Sequence, residues 1–306
     1  MKILSFETED EWLQARRQYI TATMIARLAQ SRSEWQRVWD EREHGSTFHG
    51  NRYTDWGKER EPKIAKWVTN GDDKSNGIDS RLVPTYDIYV DDDGISAASP
   101  DMVSVPWSDE RIGAEIKTVK AERAWVVPKG TKPEDIKNFV PKGYYNQVQW
   151  NIKVYEAEWW FLIWEVHYGF DEKTVEKHWC VIYPDRERIK ELESIRDEFL
   201  AGDWRDQDTR PDVSRILRRL HEVRLMKRPL DEEEQELLDE LRECLGDEDT
   251  AFEDAGFKIS WTLPKPRKTW QKKAFEEAHP ELVAEFTTEV PAKKRTLRVT
   301  EVKTND

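Results

Sequence analysis

The sequence predicts a mixed α/β fold in which a central mixed sheet is flanked by helices. Three observations lead there. Strand-like runs at 85–90, 95–105 and 112–119 follow one another, separated by Asp91-Asp92-Asp93-Gly94 and by a turn at Trp107-Ser108-Asp109-Glu110. Helical patterning brackets them, up to about residue 70 on one side and, on the other, with Val148, Ile152 and Tyr155 at spacings of four and three. Two further apolar runs, 159–167 and 178–183, lead into a helix at 185–200.

Each element has its own signal. Ile20-Thr21-Ala22-Thr23 opens an apolar helix at 24–28 that Thr21 can cap. Trp56-Gly57-Lys58-Glu59-Arg60-Glu61-Pro62 reads as another helix start, because proline is tolerated in a first turn and costly deeper inside, which places Glu61 in that turn. In 112–119, Ile112, Ala114 and Ile116 alternate with Gly113, Glu115 and Lys117, so one face is apolar and the other polar. The preceding turn folds strand 95–105 back and carries Asp101 toward Glu115. Residues 128–143, with Pro128, Gly130, Pro133, Pro141 and Gly143, read as a loop.

Beyond residue 205 the pattern changes. Leucines between 212 and 245, interrupted at Arg228-Pro229, predict a helical hairpin, and 246–256 reads as an acidic linker. Strands at 257–263 and 296–302 around a helix at 270–278 would form a small basic unit. The expected organisation is a core at 1–205, hairpin and linker at 206–255, and an α+β appendage at 256–306.

With 306 residues the chain can build one large core plus an appendage. The formal charge is −13, yet 256–306 carries 11 Lys+Arg against 7 Asp+Glu, net +4, leaving −17 on residues 1–255. Phosphate contacts dominate DNA affinity, so a DNA partner requires a locally basic channel and metal to offset clustered carboxylates. Cys180 and Cys244 are isolated, which excludes a disulfide framework or a Cys-rich metal site, and the six histidines show no paired metal-ligand spacing. The longest apolar run, 159–164, is too short to span a bilayer and no signal peptide is visible, so the expectation is a reduced, cytoplasmic protein with no membrane partner. Most of the 15 tryptophans fall within helix or strand periodicity; Trp107 and Trp125, beside loops near the polar strand face, are the ones to consider for DNA contact.

The chemistry concentrates in Ser99-Pro100-Asp101 and Glu115-Ile116-Lys117. Residues two apart on a strand share a face, so Glu115 and Lys117 can line one pocket while Ile116 faces the core. Two carboxylates suit a hard cation such as Mg2+, with Mn2+ as a substitute, and a lysine beside them can orient a metal-bound water or stabilise charge developing on a phosphate. That is a constellation for phosphodiester hydrolysis. In a chain with 36% charged residues the same spacing also describes a solvated hairpin face.

These residues resemble the YqaJ-type viral recombinase and lambda exonuclease family within the PD-(D/E)xK nuclease superfamily. The resemblance covers about positions 12–185. Trp12-Leu13-Gln14-Ala15-Arg16-Arg17 leading into Ile20-Thr21-Ala22-Thr23 is similar to the family's Arg…Ile-Thr-Ala-Ser segment, Gly57 to Glu61 to its Gly-x-x-x-Glu helix, and Tyr144-Tyr145-Asn146-Gln147-Val148-Gln149 to its Tyr-x-x-Gln-Val-Gln motif. Leu245-Gly246-Asp247 and Arg295-Thr296-Leu297-Arg298-Val299 match features of the family's C-terminal region.

The resemblance implies a restriction-endonuclease-like core and a Mg2+-dependent 5′→3′ double-strand exonuclease that leaves 3′ single strands for recombination. It places metal on Asp101, Glu115 and Glu61, water activation on Lys117, water positioning on Gln147, and the terminal 5′-phosphate on Arg16, Thr21 and Thr23, with Tyr144 nearby. It also implies double-stranded DNA ends and a single-strand annealing protein as partners, and a homo-oligomer, a ring-shaped trimer. An iron–sulfur cluster is not expected, since two cysteines cannot supply four ligands. Two alternatives stay open: an endonuclease or repair nuclease of the same superfamily, and a non-catalytic acidic DNA- or protein-binding recombination factor.

Overall fold

The computed structural model describes residues 1–46, 50–72, 76–205, 211–246, 248–254, 257–263 and 270–286. In chain order they form β1 (Lys2–Leu4), α1 (Glu9–Arg16), β2 (Ile20–Thr21), α2 (Ala22–Leu28), α3 (Ser33–His44), α4 (Arg52–Asn70), β3 (Leu82–Pro84), β4 (Ile88–Val90), β5 (Ser96–Ala98), β6 (Met102–Ser104), β7 (Ile112–Lys120), α5 (Lys142–Tyr155), β8 (Trp159–His167), β9 (Val175–Ile182), α6 (Arg186–Ala201), α7 (Pro211–Leu245), β10 (Thr250–Asp254), β11 (Phe257–Trp261), α8 (Lys272–Ala278) and α9 (Pro280–Phe286). They fall into two compact units, one within Met1–Arg218 and one within Arg219–Thr300.

The first unit is the mixed α/β body the sequence predicts. Its larger sheet has the order β3-β6-β7-β8-β9, with β7 and β8 parallel and the other pairs antiparallel. A parallel pair needs a crossover, and α5 supplies it. Apolar residues of β7, Ile112, Ala114 and Ile116, pack with Ile64, Ala65 and Val68 of α4, whereas α2, α3, α5 and α6 build the other core around Trp35, Trp150, Trp160 and Phe199. The polar face of β7 therefore lies on the α5 side. Gly113 is required there, because a Cβ would stand 2.3 Å from the Trp160 ring.

The smaller sheet, β1-β4-β5-β2, changes one expectation. The single strand at 95–105 is two short strands in different sheets, β5 and β6, with Ser99-Pro100-Asp101 carrying the chain across. Pro100 has no N–H to give a ladder, so pairing stops there. Thr21 caps α2 as predicted, accepting the Met24 N–H at 3.4 Å.

Pro62 does not lie in a first turn. It sits in the middle of the 19-residue α4, whose N-cap is Asn51, accepting from the Tyr53 and Thr54 N–H groups at 3.1 Å. Burial of Trp56, Ile64, Ala65 and Val68 along one face offsets the lost N–H. Glu61 is thereby a mid-helix residue.

The expected hairpin is instead a continuous helix, which begins in the first unit and runs on into the second. α7 runs 35 residues through position 229; proline removes one backbone donor, and helix-forming residues on both sides keep the remaining bonds. Part of the expected acidic linker is strand β10, which pairs antiparallel with β11. The helix expected at 270–278 starts at Lys272. The strand expected at 296–302 lies outside the described residues.

Candidate active site

Asp101 and Glu115 meet because of the β6–β7 register. Met102 pairs with Ala114, so Asp101 and Glu115 stand one step further along the same antiparallel pair. The Asp101 carboxylate leaves the ladder and accepts the Ile116 N–H at 2.6 Å. Glu115 is buried and fully engaged: its Oε1 accepts from Lys117 Nζ and from Gln147 Nε2, both at 2.5 Å, and its Oε2 accepts from Asn151 Nδ2 at 2.9 Å.

These groups open into a cavity of about 630 Å3, whose lining includes Arg16, Thr23, Glu61, Asp101, Glu115, Lys117 and Gln147. Arg16 lies over the Trp12 ring at 4.7 Å and donates to Thr23 Oγ1 at 3.2 Å, while its Nε is buried without a partner among the described residues. Two other predicted residues stand apart. Thr21 is buried, its hydroxyl taken by the α2 cap. Tyr144 backs the site, its ring 5.4 Å from Lys117 Nζ.

Electrostatics follow from this crowding. Burial, then the charge of Glu115, pushes the Asp101 carboxyl well above the usual range, against Lys117 and the Ile116 N–H. Glu61 is raised in the same way, by burial and then by Glu115. Burial would lower Lys117, but Glu115 and Asp101 outweigh it and hold the ammonium charged. Burial lowers Arg16, while Glu115 and Asp101 pull the other way.

A divalent cation fits this donor set. Among the described residues no three His, Cys, Asp or Glu side chains form a ready-made cluster, so the arrangement is a carboxylate pair with Glu61 on the same cavity wall. Mg2+ needs only one or two carboxylates and keeps several waters. Burial and then the charge of Glu115 raise Asp101, and a bound cation would offset both.

Sequence reasoning missed Asn151. It is fully buried on α5, one turn beyond Gln147, and the i, i+4 spacing of two amides on one helix face was the available signal. Gln149 serves structure instead, donating to the Tyr183 carbonyl at 2.9 Å and accepting the Asp185 N–H at 2.8 Å. Trp125 stacks on Trp164 at 4.8 Å as part of the packing, whereas Trp107 is exposed on its turn.

The fold is similar to LHK-Exo, an alkaline exonuclease from Laribacter hongkongensis, at 20% identity and TM-score 0.43 over 70% of this chain and 99% of that one. Its complex with dAMP gives 20% identity and TM-score 0.44 over 65% and 96%. A phage-related exonuclease from Haemophilus somnus gives 15% and 0.37 over 59% and 92%. No curated protein matches the sequence. The family model of the YqaJ-like viral recombinase domain matches residues 11–158, just under half of the 306-residue chain, a span that holds Arg16, Glu61, Asp101, Glu115, Lys117, Gln147 and Asn151.

Proposed function

We propose that the chain is a Mg2+-dependent deoxyribonuclease that degrades duplex DNA from its ends 5′→3′, leaving 3′ single strands for recombination. One observation carries the reading: Asp101, Glu115, Lys117 and Gln147 line a single cavity with Arg16 and Thr23. Asp101 and Glu115 would hold Mg2+, or Mn2+ in its place, with Glu61 completing the site. When bound, the metal would supply Lewis acidity and make a nearby water a better nucleophile.

The chain's own groups do the rest. Lys117, charged and held at Glu115, donates to the attacking water or to charge building on the phosphate. Gln147, on the same carboxylate oxygen, positions that water. Arg16 and Thr23 receive the terminal 5′-phosphate, a guanidinium with a hydroxyl beside it, and Thr21 holds the helix start that presents Thr23. Tyr144 limits the movement of Lys117. The match of residues 11–158 to the YqaJ-like viral recombinase domain supports a single-strand annealing protein as partner and a ring-shaped trimer in the cytoplasm of a bacterial host.

The test is degradation of linear duplex DNA bearing 5′-phosphate or 5′-hydroxyl ends by the wild type and by Lys117→Ala, in Mg2+ and in EDTA, with closed circular DNA alongside. Metal-dependent loss of the 5′-phosphorylated strand, abolished in the variant, is expected. Cutting of the circle would indicate an endonuclease, and no cleavage by folded protein under any condition would leave a binding factor.

A further inference from the structure

Among the described residues, helix α7 presents a largely exposed apolar row. Val213, Ile216, Leu220, Val223, Lys227, Leu230, Glu234, Leu237, Leu241 and Cys244 recur at alternating spacings of three and four, the repeat of a coiled-coil seam. Val213, Ile216, Val223, Leu230, Leu237 and Leu241 are 39 to 64% exposed. Over the 35 residues of α7 this row extends roughly 50 Å at 1.5 Å per residue. An exposed apolar seam of that length marks an interaction surface.

Charge along the same helix selects the occupant. Residues 211–230 carry six Lys or Arg and two Asp or Glu, net +4, whereas 231–245 carry one Arg and eight Asp or Glu, net −7. A helix with one basic and one acidic half is complementary to itself when reversed. Aligned in parallel, two copies would set Lys227 on Lys227 and Glu234 on Glu234 within the seam, and like charges there are destabilising. Aligned antiparallel, Ile216 meets Leu241, Leu220 meets Leu237 and Val213 meets Cys244 of the other copy. Lys227 then falls one layer from the other copy's Glu234, while keeping its present neighbour Asp231 at 3.4 Å.

We propose that α7 is a self-association surface on which a second copy of this chain docks its own α7 antiparallel, basic half against acidic half. The pairing does not depend on the nuclease reading. Two chains would be joined through it.

Native Cys244 gives the test. Full-length Val213→Cys protein is oxidised at micromolar concentration beside the wild type and beside Val213→Cys/Cys244→Ser, and the products are resolved without reductant and mapped by peptide mass. The expected product is a covalent dimer linked 213 to 244, at least about tenfold more abundant than any dimer in the two controls. A 244–244 link in the wild type at comparable yield would mean parallel pairing and overturn the proposal. An intrachain 213–244 link would mean that the helix folds back on itself, and no link in protein of unchanged helix content would mean that no partner docks; either result overturns it. Val213 is exposed, so its replacement leaves the fold in place, and circular dichroism of each variant checks this.

Discussion

The Asp101 carboxylate accepts the backbone N–H of Ile116 at 2.6 Å, and Ile116 lies between Glu115 and Lys117. A single hydrogen bond thus fixes the acid of one strand against the peptide that carries the other acid and the lysine. Asp101 stands half-buried beside Glu115, and burial and then the Glu115 charge raise its carboxyl against that bond.

Asp101→Asn is expected to abolish cleavage, by at least about 100-fold, while leaving metal-free protein as stable or more stable. A carboxyl whose folded pKa stands above its unfolded value gives stability that is present below the unfolded pKa and lost as pH rises through the folded one. In EDTA the wild type should therefore lose this contribution with rising pH, and Asp101→Asn should not. Calorimetric melting against pH, with and without Mg2+, reads both effects; Mg2+ should raise the wild-type Tm alone.

Asn151→Ala removes the donor on Glu115 Oε2 and frees that carboxylate to rotate. The expected loss is about 10- to 100-fold in metal affinity or kcat, with KM for DNA little changed. Isothermal titration with Mn2+ separates this from unfolding, and Asn151→Gln should not restore it, because the longer side chain cannot occupy the same buried space.

Arg60 and Glu165 form a buried bidentate pair, with both bonds at 2.7 Å. Arg60→Met strands the carboxylate of Glu165, which is fully buried, and should cost about 3–5 kcal/mol in urea unfolding. The double variant Arg60→Met/Glu165→Leu should cost less than Arg60→Met alone.

Asp93 is expected to contribute to acid stability. Burial would raise its carboxyl, but the Ser96 and Ile95 N–H groups, the Ser96 hydroxyl and Lys153 overcome that and hold it far below the ordinary range. A depressed carboxyl gives stability that is present above its unfolded pKa and lost as pH falls toward the folded value. Asp93→Asn should cost about 1–3 kcal/mol at neutral pH, and the gap to wild type should close as pH drops below about 4. Parallel urea titrations from pH 7 to pH 3 measure it.

Much of the body and the site was legible because it is written at short range. Alternation across 112–119 gives the two faces of β7, and a two-residue spacing joins Glu115 to Lys117. What escaped depends on distant partners. Pro62 inside α4 contradicts local preference and survives through packing against β7, and Asn151 looks like an ordinary helix residue until the Glu115 side chain arrives from another strand. The break between β5 and β6 is visible as Pro100, yet only the pairing of each half shows that the halves belong to different sheets. The long α7 needed its whole backbone to decide between a bend and continuity.

The crossing at Ser99-Pro100-Asp101 has no slack. Ala98 is tied to Tyr89 in one sheet and Met102 to Ala114 in the other, so three residues bridge two fixed anchors. Inserting or deleting one of them would either unseat an anchor or turn the acid away from Glu115, since neighbouring side chains on extended backbone point to opposite sides. The span between those anchors should thus tolerate changes of residue identity at Ser99 while rejecting any change of length, a pattern that a library of single insertions read out by DNA cleavage would reveal as a gap three residues wide.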